Sequence, residues 1–197
     1  MINIYKGYLK ANGKHAATKF KDGAKLLSYN TARKYDSFVG VLDDEYIMVD
    51  IDDYDEAEIL LDIVEDKDIQ CSVLETDNGM HFYFKGYDLT ANKIKWYSNI
   101  GILADYKLGI KNTVDPLKIN GVTRKWIRKV KDHEPLPIWL FPYSKKNPGL
   151  MNLGEGDGRN DKLFTYILKM QSQGMAKKDI KETISIINKY ILAEPVS

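Results

Sequence analysis

Hydrophobic and polar positions follow two different periods along this chain, and the change falls near residue 145. Before it, short β-prone runs alternate with turn residues. Residues 39–42 and 46–52 are apolar runs flanking Asp43-Asp44-Glu45, which predicts neighbouring strands across that turn. Ala57, Leu60, Leu61 and Val64 then recur at helical spacing. Residues 70–74 and 80–85 predict two more strands, joined by Glu75-Thr76-Asp77-Asn78-Gly79 with its Asn-Gly turn signal. The apolar run from Ile100 predicts a strand ending at Asp105. Residues 113–119 and 122–130 flank Asn120-Gly121 and predict a hairpin, whose first arm Pro116 makes an edge or interrupted strand.

After the glycine-rich stretch 154–158 the period becomes helical. Asn160 is placed to cap a helix carrying Leu163, Phe164, Ile167 and Leu168, and Gly174 to end it. Ile180, Ile184, Ile187 and Ile191 mark a second helix, so residues 160–192 predict an antiparallel helix pair. Such a pair cannot bury both apolar stripes alone and must dock on the preceding part or join a larger bundle. The expected organisation is an α+β fold, with a domain over residues 1–148 and a helical module over 149–197 that is expected to be incomplete.

The chain has 197 residues, 44% of them hydrophobic and 29% charged, the balance of a globular protein with a sizeable core. No apolar run approaches a bilayer span and residues 1–6 lack a signal-peptide core, so a cytoplasmic protein without membrane contact is expected. The single cysteine, Cys71, has apolar flanks and is expected to serve packing. The net charge of +1 hides strong segregation. Residues 1–38 carry eight Lys/Arg against two Asp/Glu, residues 39–68 one against thirteen, and residues 69–150 thirteen against seven. An acidic centre between basic flanks suits a cation site beside an anion-binding surface, or simply a solvated acidic helix.

Three stretches carry candidate chemistry. Ile47-Met48-Val49-Asp50-Ile51-Asp52 is an apolar strand ending in two acids, and the strand period of two puts both carboxylates on one face. Paired there, they favour a hard cation such as Mg²⁺ or Mn²⁺, although a strand end facing water explains them as well. Asp53, Asp55 and Glu56 suit the first turn of the following helix. In residues 78–85, His81, Tyr83 and Lys85 share one face and Met80, Phe82 and Phe84 the other, so His81 and Lys85 could bind phosphate unless His81 is structural. Residues 100–107 repeat the pattern of an apolar run ending in an acid, Asp105, with Lys107 two residues on. Asp105 is then the natural third carboxylate of a clamp for two ions, with Lys107, Lys85 and His81 to neutralise a triphosphate.

The order Val49-Asp50-Ile51-Asp52, then Gly79-Met80-His81, then Ala104-Asp105-Tyr106-Lys107 resembles the archaeo-eukaryotic primase superfamily, in particular the primase-polymerase domains of phages, plasmids and mobile elements. The likeness covers roughly residues 10–145. It implies a mixed β-sheet of the RNA-recognition-motif type with helices on its outer face. It also implies nucleotidyl transfer from NTPs or dNTPs on a single-stranded DNA template, with a helicase as partner in the same longer chain or separately. Asp50, Asp52 and Asp105 would be catalytic metal ligands for Mg²⁺ or Mn²⁺, and His81 would contact the nucleotide phosphates. Gly79 stands where the family often has Ser, which removes a hydroxyl and keeps the close backbone approach. The start of the helical module, 158–164, is similar to the segment that often follows these domains, although simple capping also explains Arg159 and Asn160.

The remaining signals are softer. Arg124, Lys125, Arg128, Lys129 and Lys131 surround Trp126, a pattern that suits a nucleic-acid backbone with a stacked base, or a solvated edge strand. Lys10, Lys14, Lys19, Lys21 and Lys25 add positive charge. His15 and His133 have no partner at metal-ligand spacing and are assigned no role. A metal-dependent nuclease using the same carboxylates, and a non-catalytic nucleic-acid-binding replication protein, are the alternatives.

Overall fold

A computed structural model of the chain describes residues 4–20 and 24–196. Its strands are β1 (Tyr5–Asn12), β2 (His15–Ala16), β3 (Phe38–Leu42), β4 (Tyr46–Ile51), β5 (Ser72–Glu75), β6 (Met80–Lys85), β7 (Lys93–Ser98), β8 (Leu103–Leu108), β9 (Val114–Ile119), β10 (Val122–Thr123), β11 (Trp126–Arg128) and β12 (Pro142–Ser144). The α-helices are α1 (Tyr29–Ala32), α2 (Tyr54–Asp66), α3 (Arg159–Ser172) and α4 (Lys177–Ile186). The class is α+β. The strands form two sheets, in the orders β10-β9-β3-β1-β2 and β11-β5-β6-β4-β8-β7-β12. Neighbours within both sheets pair antiparallel, in place of the single mixed sheet that the resemblance implied.

The two runs expected to pair across residues 43–45 do not. β3 lies between β1 and β9, and β4 between β6 and β8, so the turn carries the chain from one sheet to the other. Every residue of both strands is buried. Two apolar faces are what a strand inside a stack needs, whereas a half-exposed hairpin would alternate. The predicted 113–130 hairpin is also divided. Its Asn120-Gly121 turn forms, with φ of +48° and +86° as a type I′ turn requires, but after Thr123 the chain leaves the small sheet and joins β5 as β11. The strand expected to end at Asp105 instead begins at Leu103, after Gly101 at φ +89°.

Three apolar clusters hold the layers together. β4, β6 and β8 turn Ile47, Val49, Ile51, Phe82, Phe84 and Tyr106 towards α2, α3 and α4, where they meet Leu60, Ile63, Leu163, Met170 and Ile187 in one core. The C-terminal helices therefore dock on the large sheet. Cys71 lies in this core, where burial pushes its thiol up to about 12. On the opposite face Tyr46, Met48, Leu74 and Tyr83 pack against Tyr5, Phe38, Leu42 and Leu117 of the small sheet. Leu9, Ala11, Val39 and Val41 form a third cluster on that sheet. Asp53 caps α2, its carboxylate accepting the Glu56 N–H at 3.0 Å, as the acidic first turn predicted. Asn160 does not cap α3. Gly158 occupies the cap in the left-handed region, and Arg159 is buried, donating to the carbonyl of Glu194. No helix among the described residues is long and apolar enough to cross a membrane.

His133, which no motif singled out, fastens the loop after β11 to the large sheet. Ser72 Oγ accepts the Val130 N–H at 3.1 Å and hydrogen-bonds His133 Nε2 at 2.8 Å, while Tyr46 OH faces Nδ1 at 3.4 Å. Burial, helped by Lys85, lowers the pKa of this ring to about 4. Between the ordinary histidine value of about 6.5 and that lowered value, the unfolded chain takes a proton that the fold refuses. Stability is therefore unaffected above about pH 6.5 and falls as pH drops towards 4. Chemical-denaturation midpoints for His133→Gln and the parent chain should converge across this window as acid removes the parent's advantage. Parallel curves would show that His133 is protonated in the fold.

Candidate metal and nucleotide site

The register of the large sheet assembles the centre. Asp50, on central strand β4, stands directly opposite His81 of β6 on one side and Asp105 of β8 on the other. Because β8 runs antiparallel to β4, the beginning of β8 meets the end of β4, which is why Asp105 near its start reaches the acidic end of β4. Directly opposite residues share a face, so these three side chains form one row across three strands. Asp52, just beyond β4 and exposed, completes the group. One carboxylate oxygen from each of Asp50, Asp52 and Asp105 lies within 4.8 Å of the others. This cluster could hold a metal ion.

The surrounding charges are strongly coupled. Lys107 Nζ donates to Asp50 Oδ2 at 2.5 Å and lies 3.4 Å from Asp105 Oδ2, while the Lys95 N–H donates to Asp105 Oδ1 at 2.8 Å. His81 Nε2 is 3.2 Å from Asp50 Oδ1, off the hydrogen-bonding line, so that buried oxygen has no hydrogen-bond donor among the described residues. An orphaned carboxylate oxygen beside two further carboxylates fits a hard cation. Burial alone would raise the Asp50 pKa, but His81 and Lys107 outweigh it and hold the carboxyl well below the usual range. Burial alone would lower that of His81, and Asp115 and Asp50 instead push it up to about 9.

Asp115 escaped the motif search. It lies on β9 of the small sheet, fully buried, and its Oδ1 is 3.0 Å from His81 Nδ1. Its Oδ2 accepts from Tyr83 OH at 2.5 Å and from Tyr5 OH, and Arg124 Nη1 approaches Oδ1 to 3.8 Å. One carboxylate thus joins both sheets and fixes which nitrogen of His81 faces Asp50. The only trace in the sequence is an acid beside Pro116 between Val114 and Leu117.

An open cleft of about 410 Å³ lies over the row, lined by Asp50, Asp52 and His81 and by the cationic Lys14, Lys107, Lys111 and Arg124. Arg124, expected to contact nucleic acid, stands at the cleft wall and donates to the Pro116 carbonyl at 3.0 Å. His15 also lines the cleft, and Lys14 pairs with Asp77 at 2.9 Å. Lys85 is not brought to the centre. It lies opposite Tyr46 at the other end of β4, paired with Glu45 at 3.2 Å. Arg128 pairs with Asp68 at 3.6 Å, and Trp126 and Lys129 line a second cleft. Lys10 lies over Tyr35, Lys19 and Lys25 are exposed, and Lys21 lies outside the described residues.

Gly79 is explained by close approach. A Cβ there would sit 1.9 Å from the Ile51 carbonyl oxygen, and its φ is not positive, so the glycine serves space and not turn geometry. A serine has no room in this backbone. Gly79→Ala should force the 76–79 turn off the acidic end of β4 and cost about 1–3 kcal/mol, the usual range for overpacking. Thermal melts check this, and an unchanged melting temperature would mean that the turn moves freely.

Comparison with family models, with curated proteins and with solved structures finds no match.

Proposed function

We propose that the chain is a DNA primase-polymerase, transferring nucleotidyl groups from NTPs or dNTPs to a 3′-hydroxyl on a single-stranded DNA template in replication of a phage or mobile element. The observation that carries this reading is the row His81–Asp50–Asp105, completed by Asp52 and bordered by Lys14, Lys107, Lys111 and Arg124 in one cleft. Acids for cations beside cations for phosphates are what phosphoryl chemistry requires. The strand order β8-β4-β6-β5 with α2 connecting β4 to β5 is a split β-α-β arrangement, which supports the RNA-recognition-motif type of sheet. β7 stands where that type has its second helix.

Asp50, Asp52 and Asp105 would hold two Mg²⁺ or Mn²⁺ ions, whose chemistry is activation of the attacking hydroxyl and neutralisation of the triphosphate. His81, oriented by Asp115, faces Asp50 through Nε2 and would add positive charge beside the phosphates. Lys107 balances Asp50 and Asp105, and Lys14, Lys111 and Arg124 line the path of a polyanion. A helicase, in the same longer chain or separate, fits this activity as partner.

The test is incorporation of labelled nucleotides on single-stranded DNA, with and without primer, in Mg²⁺ or Mn²⁺, beside Asp52→Ala. Products absent from the variant support the transferase. Template shortening would point to hydrolysis by the same carboxylates, and an inert chain that still binds nucleotide would point to a non-catalytic binding protein.

A further inference from the structure

A second cleft, of about 500 Å³, opens between the two sheets and lies apart from the carboxylates. Its walls come from different layers. Tyr8 of β1 and Tyr29 of α1 stand on one side with ring centroids 5.5 Å apart, and Trp126 of β11 stands on the other, backed by Tyr83 at 5.4 Å. Lys129 and Lys131 complete the rim, and Lys129 Nζ lies 5.9 Å from the Trp126 ring centroid. Neither lysine has a carboxylate partner among the described residues, whereas the neighbouring Arg128 is paired with Asp68.

Aromatic faces that a fold does not cover, with unpaired ammonium groups beside them, match flat π-systems linked by phosphates. The cleft is also aligned with the candidate active site. Trp126 lies opposite Leu74, Leu74 opposite His81 and His81 opposite Asp50, so the ring shares the row and the face of the carboxylates. Three strand spacings separate Trp126 from Asp50, roughly 14 Å. Arg124 lines the first cleft and Trp126 and Lys129 the second, so one short segment borders both.

We propose that this cleft binds single-stranded nucleic acid by stacking a base between Tyr8 or Tyr29 and Trp126, with Lys129 and Lys131 on the flanking phosphates. It rests on the reading of the chain as acting on a single-stranded template, and gives that template a place of its own. The strand is held outside the metal cluster, so binding needs neither divalent ion nor triphosphate.

The experiment is fluorescence anisotropy of a labelled oligo(dT) with the full chain in EDTA. Tyr29, 37% exposed on α1, is the most exposed of the three rings and meets the core only edge-on, at Phe38 with centroids 6.0 Å apart. Tyr29→Ala and Trp126→Ala should each weaken binding roughly 10-fold, with Trp126→Phe restoring most of it, since stacking tolerates any aromatic face. Lys129→Ala with Lys131→Ala should reduce the slope of log affinity against log salt by about 0.7 per lysine. Asp52→Ala should bind as the parent does. Parental binding by Tyr29→Ala and by the double lysine variant would overturn the cleft while leaving the carboxylate site standing. Equal affinity for duplex DNA would overturn it too, because paired bases cannot enter the slot. Tight oligo(dT) binding lost in these variants, by a chain that incorporates no nucleotide, would uphold the cleft and sink the polymerase reading.

Discussion

Asp105→Ala is expected to abolish nucleotide incorporation, by about 10²- to 10³-fold or more, while leaving the fold intact. Asp105 is partly exposed, and its carboxylate lies in a group of three acids and meets Lys107 at 3.4 Å. Removing it relieves repulsion from Asp50 and Asp52, and Lys107 keeps its shorter bond to Asp50. Thermal melts should move little, and the stabilisation that the parent gains from millimolar Mn²⁺ should vanish with the activity, because a ligand raises stability only through the state that binds it. Asp50→Ala should be equally inactive but behave differently as a folded chain. Asp50 is 7% exposed and faces the buried His81 and the half-buried Lys107, so its loss takes one carboxylate from each, leaving them Asp115 and Asp105, and should cost about 1–3 kcal/mol. Asp105→Ala that retains activity and its Mn²⁺ shift would remove the carboxylate cluster from the chemistry.

Both positions are legible in the sequence, but their meeting is not. The acids Asp50, Asp52 and Asp105 stand out because each interrupts or ends an apolar strand run, and strand periodicity alone assigns Asp50 and Asp52 to one face. Their meeting depends on pairing, which periodicity does not encode. The runs at 39–42 and 46–52 look like a hairpin because the turn between them is short and acidic, and nothing local says that it crosses between sheets. The same blindness split the 113–130 hairpin, although its Asn-Gly turn was correctly legible from φ preference. Lys85 was grouped with His81 by alternation, which gives the face of a strand and not the distance along it. Asn160 reads as the cap because side-chain capping is legible from residue type, whereas the left-handed backbone at Gly158 is not.

Asp115→Ala is expected to be the most destabilising single change among the residues around the site. Its carboxylate is 0% exposed and serves His81, Tyr83 and Tyr5 at once, with Arg124 close by. Alanine would leave these donors without an acceptor between two packed sheets, a loss of about 3–5 kcal/mol for a broken buried pair. For a chain of this size that corresponds to a melting temperature lower by roughly 10 °C. Asp115→Asn keeps the shape and one acceptor oxygen but turns an N–H towards a donor, so it should fall between the parent and alanine. Tyr83→Phe removes one donor and leaves the others satisfied, and should cost only about 1 kcal/mol. The order Tyr83→Phe, Asp115→Asn, Asp115→Ala in melting temperature is therefore the signature of one acceptor shared between the layers. Were Asp115→Ala no less stable than Tyr83→Phe, the small sheet would be held by its apolar contacts alone, and His81 would owe its orientation to Asp50.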